Sequence, residues 1–388
     1  MKKVVIIAVI LLFGFKGHTQ ELNNPILTAV PFLQVIPDAR SGGLADMGVA
    51  TRADANSQYH NPAKYAFSES QFTLSATYTP WLRNLTNDVF LGHITFSNRI
   101  SEGSAWGASF NYFSVGRIET NQGQFDQNGR LISTGTENPN DLSLDVSYAL
   151  KLSDEFSMAV KVGYVRSDLS IRSSDDELQT INSLAVGISG FYQSEEKNFG
   201  NFNGRWRGGF NIANLGPKVE RIAGQPKEFI PTNLKLGGGF DFIIDDFNTI
   251  STSIEFNKLL VPTPSIPVTN AADEIIGYRQ DDSVGFLEGV FSSFGASPKG
   301  FSEELKEFTW ALGAEYMYDN TFAFRAGYFN ESDIKGPKKF FSLGAGFKFK
   351  SLDLDMSYLL NTKDINNPLD NTLRFSLTFN FGDVYEGF

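Results

Sequence analysis

The chain contains no cysteine, which excludes disulfides, a thiolate metal site, a cysteine nucleophile and a lipoprotein anchor. Histidine is almost as scarce, with three residues in 388. Basic tracts are missing as well: 33 Lys and Arg face 44 Asp and Glu, a net charge of −11 and a pI near 4.9. An acidic chain without a basic stripe is a poor partner for nucleic acid. Beyond residue 15 there is no long apolar run. The one at Val4–Phe15 is shorter than the ~20 residues a spanning helix needs. With Lys2 and Lys3 before it and Gly17-His18-Thr19 after it, residues 1–19 read as a signal peptide cleaved before Gln20, in place of a retained anchor. The mature protein is expected to be exported and to carry no transmembrane helix.

What is abundant is phenylalanine and glycine, 36 of each, at a mean hydropathy of only −0.18. Alternation reconciles the two. Leu142, Leu144, Val146 and Tyr148 interleave with Ser143, Asp145 and Ser147, and Leu373, Phe375, Leu377, Phe379 and Phe381 with Arg374, Ser376, Thr378 and Asn380. Period-two alternation is the strand signal. It predicts fourteen strands, at 71–79, 87–99, 104–115, 141–151, 155–168, 181–193, 204–213, 233–243, 247–257, 307–318, 321–330, 339–349, 351–360 and 371–381. No proline falls inside them, as ladder pairing requires. They match the 9–11 residues of a tilted membrane-crossing strand, not the ~5–6 typical of soluble sheets.

Loop length sorts by parity. Turns at 152–154, 244–246, Asp319-Asn320 and Lys350 alternate with loops at 116–140, 169–180, 214–232 and 258–306. Short turns on one side and long loops on the other describe an outer-membrane barrel. The expected fold is all-β: a 14-stranded antiparallel transmembrane β-barrel over 71–388, with apolar residues towards lipid and Arg374, Ser376 and Asn380 towards the lumen. An even count puts both barrel ends on the short-turn, periplasmic side. Tyr78, Tyr112, Tyr148, Tyr328 and Tyr358 fall near strand ends, where aromatic girdles sit. Barrels of about eight strands are already filled by side chains, so fourteen enclose room for something else.

Residues 20–70, and within them 31–67, have no strand period. This stretch, PFLQVIPDARSGGLADMGVATRADANSQYHNPAKYAF, is expected to enter from the periplasmic mouth as a lumen plug. Asp38, Arg40, Asp46, Arg52 and Asp54 would pair with lumen residues such as Lys161 and Arg374. Gly42-Gly43 and Asn61-Pro62 would supply its tight turns.

No catalytic, cofactor-binding or metal-ligating set emerges. His60 and His93 read as polar lumen residues. Gly187-Ile188-Ser189-Gly190 lacks the spacing of a nucleophile elbow and lies in a strand. Gly344-Ala345-Gly346 lies mid-strand with no helix after it. The acidic runs 174–177 and Asp281-Asp282 read as solvated loop charge, with calcium binding the sharper alternative. Loop 258–306 is too long for mere closure. In it Phe286, Leu287, Val290, Phe291 and Phe294 recur at helical spacing, with 302–306 a second helix-like piece. That face would either pack on the barrel rim or meet a protein or lipid outside the cell.

Ala39-Arg40-Ser41-Gly42-Gly43, Asp54-Ala55 and Asn61-Pro62-Ala63 resemble the plug segment of FadL- and TodX-type transport barrels. Val30-Pro31-Phe32-Leu33, Pro37 to Gly43 and Asn61 to Phe67 more closely resemble the PorV (LptO) family of the type IX secretion system of Bacteroidota, a system tied to gliding motility. The resemblance implies a non-enzymatic outer-membrane shuttle. Its partners would be a giant translocon barrel, the C-terminal domains of secreted cargo and a sortase-type attachment complex, in a setting of outer-membrane lipid and lipopolysaccharide. The wider superfamily implies an alternative, transport of long-chain fatty acids or other hydrophobic compounds. The LptO name adds lipid A deacylation, for which His60 or His93 would have to serve as base.

Overall fold

The computed structural model describes residues 23–80, 88–120, 125–126, 128–130, 135–169, 178–336, 338–362 and 372–385. The expected signal peptide and the acidic run 174–177 lie outside the described residues. Among the described residues no helix is long and apolar enough to cross a membrane.

Fourteen strands form the barrel: β1 Ser70–Pro80, β2 Phe90–Ser101, β3 Ser104–Ser114, β4 Asn140–Lys151, β5 Phe156–Asp168, β6 Ile181–Gln193, β7 Asn203–Leu215, β8 Asn233–Ile243, β9 Asn248–Leu259, β10 Thr309–Tyr318, β11 Phe322–Asn330, β12 Lys339–Phe349, β13 Leu352–Asn361 and β14 Leu373–Val384. Each pairs antiparallel with its sequence neighbours. β14 closes on β1 with Phe72 opposite Phe381 and Tyr78 opposite Phe375, so no edge remains to recruit another strand.

Burial runs opposite to that of a soluble sheet. On β4 the apolar Leu144, Val146 and Tyr148 are about half exposed (50–52%), whereas Asp141, Ser143, Asp145 and Ser147 are at most 8% exposed. A sandwich would bury the first set, so the apolar face belongs to lipid. Aromatic rings mark both rims. Tyr78, Phe90 and Tyr112 adjoin at the long-loop end, as do Trp310, Tyr328 and Phe341. Phe72, Phe96, Trp106 and Phe381 adjoin at the short-turn end. The long-loop end is the cell exterior by the barrel rule.

Residues 23–69 fill the lumen from end to end. At the inner mouth Ala63, Tyr65, Ala66 and Phe67 pack on Ala105, Ala149, Ala159 and Phe191. Further out, Leu44, Ala45 and Met47 pack on Ala311, Phe340 and Leu359. Outermost, Ala29, Val30 and Phe32 pack on Val165, Ile181, Val219 and Ile230. The barrel itself starts and ends at the inner side, but the segment before the plug does not stay there. Asn24 N–H donates to Ile334 O at 2.9 Å and Ala29 N–H to Phe229 O at 2.8 Å, both in long outer loops. Ala29, Val30 and Phe32 find apolar contact there with Val219 and Ile230 of an outer loop and with the outer ends of β5 and β6.

Candidate functional site

The plug is held first by its backbone. Barrel serines and threonines, too small to fill the lumen, meet its peptide groups instead. Ala39 N–H donates to Ser376 Oγ at 2.9 Å and Ala45 N–H to Ser342 Oγ at 2.8 Å. Thr95 Oγ1 donates to Ala55 O at 2.8 Å, and Ser157 Oγ to Ala63 O at 2.7 Å. Glu255 Oε2 accepts from both Gly48 N–H and Val49 N–H. Each of these plug peptide groups thus has a partner, which lowers the cost of burying irregular backbone in the lumen.

Charge forms the second layer. Glu315 of β10 takes Arg40 on both oxygens (3.1 and 3.2 Å), Arg52 at 2.8 Å and Arg325 of β11 at 2.6 Å. Arg40 also reaches Asp54 at 2.5 Å, and Arg325 reaches Asp355 at 2.6 Å. Arg374 pairs with Asp46 at 2.5 Å, as the sequence suggested. Lys161 does not turn to the plug: it faces Asp145 on the adjacent strand at 3.5 Å, because β4 and β5 already place a carboxylate beside it.

Asp38 caps the helix Ala39–Gly43, accepting Ser41 N–H on Oδ1 at 2.8 Å and Ser41 Oγ–H on Oδ2 at 2.5 Å. His60 Nε2 lies 2.8 Å from the same Oδ2. Burial would raise this carboxyl, but His60 and Ser41 overcome it and hold it far below the usual range. Lys64 is fully buried, its ammonium on Thr51 Oγ1 at 3.1 Å and Arg52 O at 3.4 Å. Burial pushes it down to about 8, against the pull of Asp54.

Gly42 and Gly43 do not form the expected turn. They sit inside the short helix, and their role is close approach. A Cβ on Gly43 would stand 2.9 Å from Gly344 Cα, and one on Gly42 would stand 2.5 Å from Arg374 Nη1. Asn61-Pro62 does shape the chain as a cap. Asn61 Oδ1 accepts Ala63 N–H, Pro62 opens the 3₁₀ turn Pro62–Phe67, and Asn61 Nδ2 donates to Val49 O and Gly190 O. Both imidazoles lie inside the barrel. His60 is bonded to Asp38, and His93 Nδ1 is 2.5 Å from Asn111 Oδ1. An acyl ester of the outer leaflet would have to enter the lumen to meet either.

Outside, the loop 260–308 builds a hairpin of Ile266–Thr269 with Ile275–Arg279 and short helices at Phe286–Ser292 and Phe301–Glu304. Of the helical-spacing set, Leu287, Phe291 and Phe294 are exposed, and Phe286 and Val290 are half-buried. Gly289 is the inward contact, its Cα close over the Phe229 ring. The loop therefore does both things: one face packs on the rim, and the other stays bare. Phe301, just before the helix-like piece 302–306, and Leu305 within it are bare as well, with exposures of 76% and 56%. Their spacing of four in the second helical piece was the available signal.

Beneath that face is a buried ionic cluster the sequence did not reveal. Lys258 binds Glu304 at 3.2 Å and Glu307 more closely, and Lys335 binds Glu303 at 2.7 Å and Glu307 at 3.2 Å. Ser297 Oγ adds a 2.6 Å bond to Glu307, and Thr263 Oγ1 donates to the same carboxylate. Burial would raise Glu307, but these donors hold it below the usual carboxylate value. Between this cluster and the plug is a cavity of about 570 Å³, walled by Ile36, Met47, Trp310 and Phe340 with Lys235 and Glu255 among its polar members.

Among solved structures, the chain is similar to a Pseudomonas aeruginosa FadL homologue, at 12% identity over 93% of this chain and 100% of that one, TM-score 0.44. It is also similar to the P. putida toluene transporter TodX, at 11% over 89% and 98%, TM-score 0.49. A third is the Ralstonia pickettii toluene transporter TbuX, at 12% over 89% and 98%, TM-score 0.45. Curated protein sequences give no match. The family model described as type IX secretion system protein PorV matches residues 18–266, well over half of the chain. The chain belongs to the PorV family of the type IX secretion system, and its place is the outer membrane.

Proposed function

We propose that this barrel is a non-catalytic carrier, which takes secreted cargo by its C-terminal domain at the translocon and delivers it to the surface attachment complex. The observation that carries the reading is the bare apolar face of Leu287, Phe291, Phe294, Phe301 and Leu305, standing on a loop anchored by buried ion pairs. Large exposed apolar patches mark partner sites, and rigid presentation lowers the ordering cost of binding. The plug supports it too, since cargo handled outside needs no open lumen. Aromatic anchors commonly contribute ~2 kcal/mol or more each. Phe291→Asp with Phe301→Asp should therefore lower co-purification of cargo C-terminal domains at least about tenfold, with the barrel's folded electrophoretic mobility unchanged. Undiminished cargo recovery would sink the assignment of this face.

The cavity above the plug supports a second reading, uptake of a hydrophobic compound. It is separable: a transporter would accumulate labelled fatty acid in cells lacking the secretion machinery, and a carrier would not. Lipid A left unchanged when His60 and His93 are both replaced by Ala would remove the deacylase reading.

A further inference from the structure

The residues ahead of the plug do more than pass through the lumen. Asn24 is buried, and its side-chain amide donates to Pro264 O at 3.1 Å and to Glu303 Oε1 at 3.2 Å. Its N–H donates to Ile334 O, so a single residue touches loop 260–308 at two places and loop 331–338 at a third. Glu303 in turn holds Lys335. Five residues on, Ala29 N–H bonds Phe229 O of loop 216–232, and the Phe229 ring supports Gly289 of the apolar helix. Ala29, Val30 and Phe32 are the centre of an apolar cluster whose other members are Val165, Ile181, Ala185, Val219 and Ile230. Tyr59 Oη–H donates to Leu33 O at 3.0 Å, fixing the segment to the plug.

Val30 adds an independent sign. It is a β-branched residue at φ +54°, a conformation such side chains avoid. Strain of this kind persists only where the surroundings over-determine the backbone. Here the surroundings are Val219 and Ile230 of the outer loop 216–232 and the outer ends of β5 and β6, at Val165, Ile181 and Ala185.

We infer that residues 23–36 emerge on the outer face of the cell and are the core on which three outer loops, including the one bearing the apolar face, are assembled. All three loops are hydrogen-bonded to this segment, at Phe229 O, Pro264 O and Ile334 O. The plug and the outer surface are therefore one continuous piece of chain.

The chain has no cysteine, so a single engineered thiol reports position cleanly. Leu27 is 75% exposed. Leu27→Cys should react with a membrane-impermeant maleimide on intact cells. Reaction only after the outer membrane is opened would overturn the topology. For the organising role, residues 23–29 are replaced by a Gly-Ser stretch of equal length, and intact cells are treated with trypsin. Cleavage at Arg279 and Lys299 should accelerate at least about tenfold, the effect of losing ~1.4 kcal/mol of local stability, while the unboiled protein keeps its folded mobility. An unchanged rate would refute the role. If that replacement fails to insert, Asn24→Ala provides the same readout, and an unchanged rate there refutes it equally. Neither measurement involves cargo, so the carrier reading stands or falls separately.

Discussion

Glu315→Gln withdraws the charge that Arg40, Arg52 and Arg325 share. One of the two oxygens becomes an NH2 group. Whichever way the amide turns, a donor then faces Arg40, together with Arg325 on one side or Arg52 on the other. Removing one partner of a buried ion pair costs about 3–5 kcal/mol, because the other charge is left uncompensated. Asp54 and Asp355 remain beside Arg40 and Arg325, which argues for the lower end, about 3 kcal/mol. Arg40 and Arg52 belong to the plug and Arg325 to the barrel, so the loss falls on the bond between them. A penalty of that size raises the undocked plug population roughly a hundredfold. Purified protein in planar bilayers is the assay. The parent should be closed with rare openings, and the variant should open about two orders of magnitude more often. Equal opening frequency, with an equal thermal midpoint, would show that Glu315 does not lock the plug.

Two further predictions concern packing and pH. Gly43→Ala places a Cβ 2.9 Å from Gly344 Cα, backbone against backbone, and should destabilise the plugged barrel by about 1–3 kcal/mol in urea titration. Lys64→Met should stabilise it, by about 3 kcal/mol at pH 7. The folded lysine titrates near 8 where an ordinary one titrates near 10.5, and each tenfold is ~1.4 kcal/mol. The sign follows from the lowered value: the charged lysine is a full liability below pH 8. That liability fades as pH rises from 8 towards 10.5, since the folded form sheds its proton first. The stability gap between variant and parent should close over that window, and a gap that stays constant with pH would contradict the burial explanation.

The barrel was legible because its physics is local. Leu373 to Phe381 alternate residue by residue, and every one of the fourteen predicted segments lies on one of β1–β14 with ends moved by three residues or fewer. The plug was legible from its lack of period, and Arg374 was correctly placed in the lumen. What sequence could not show were contacts between irregular segments far apart in the chain. Asn24 with Glu303, and Lys258 and Lys335 with Glu303, Glu304 and Glu307, carry no periodic signal, so nothing in the sequence marked the buried cluster. Gly42-Gly43 misled for a related reason. A glycine needed for space looks the same in sequence as one needed for a turn, and only the neighbouring Gly344 and Arg374 distinguish them.

On the proposed reading, a closed, plugged barrel carries protein cargo on its outer face. Gentle purification of the untagged-cargo complex from native membranes, followed by mass spectrometry of both proteins and extractable lipids, addresses it most directly. Secreted proteins sharing a common C-terminal domain, or a very large barrel protein, should be bound in near-stoichiometric amount. A preparation containing bound fatty acid in the cavity and neither protein would contradict it.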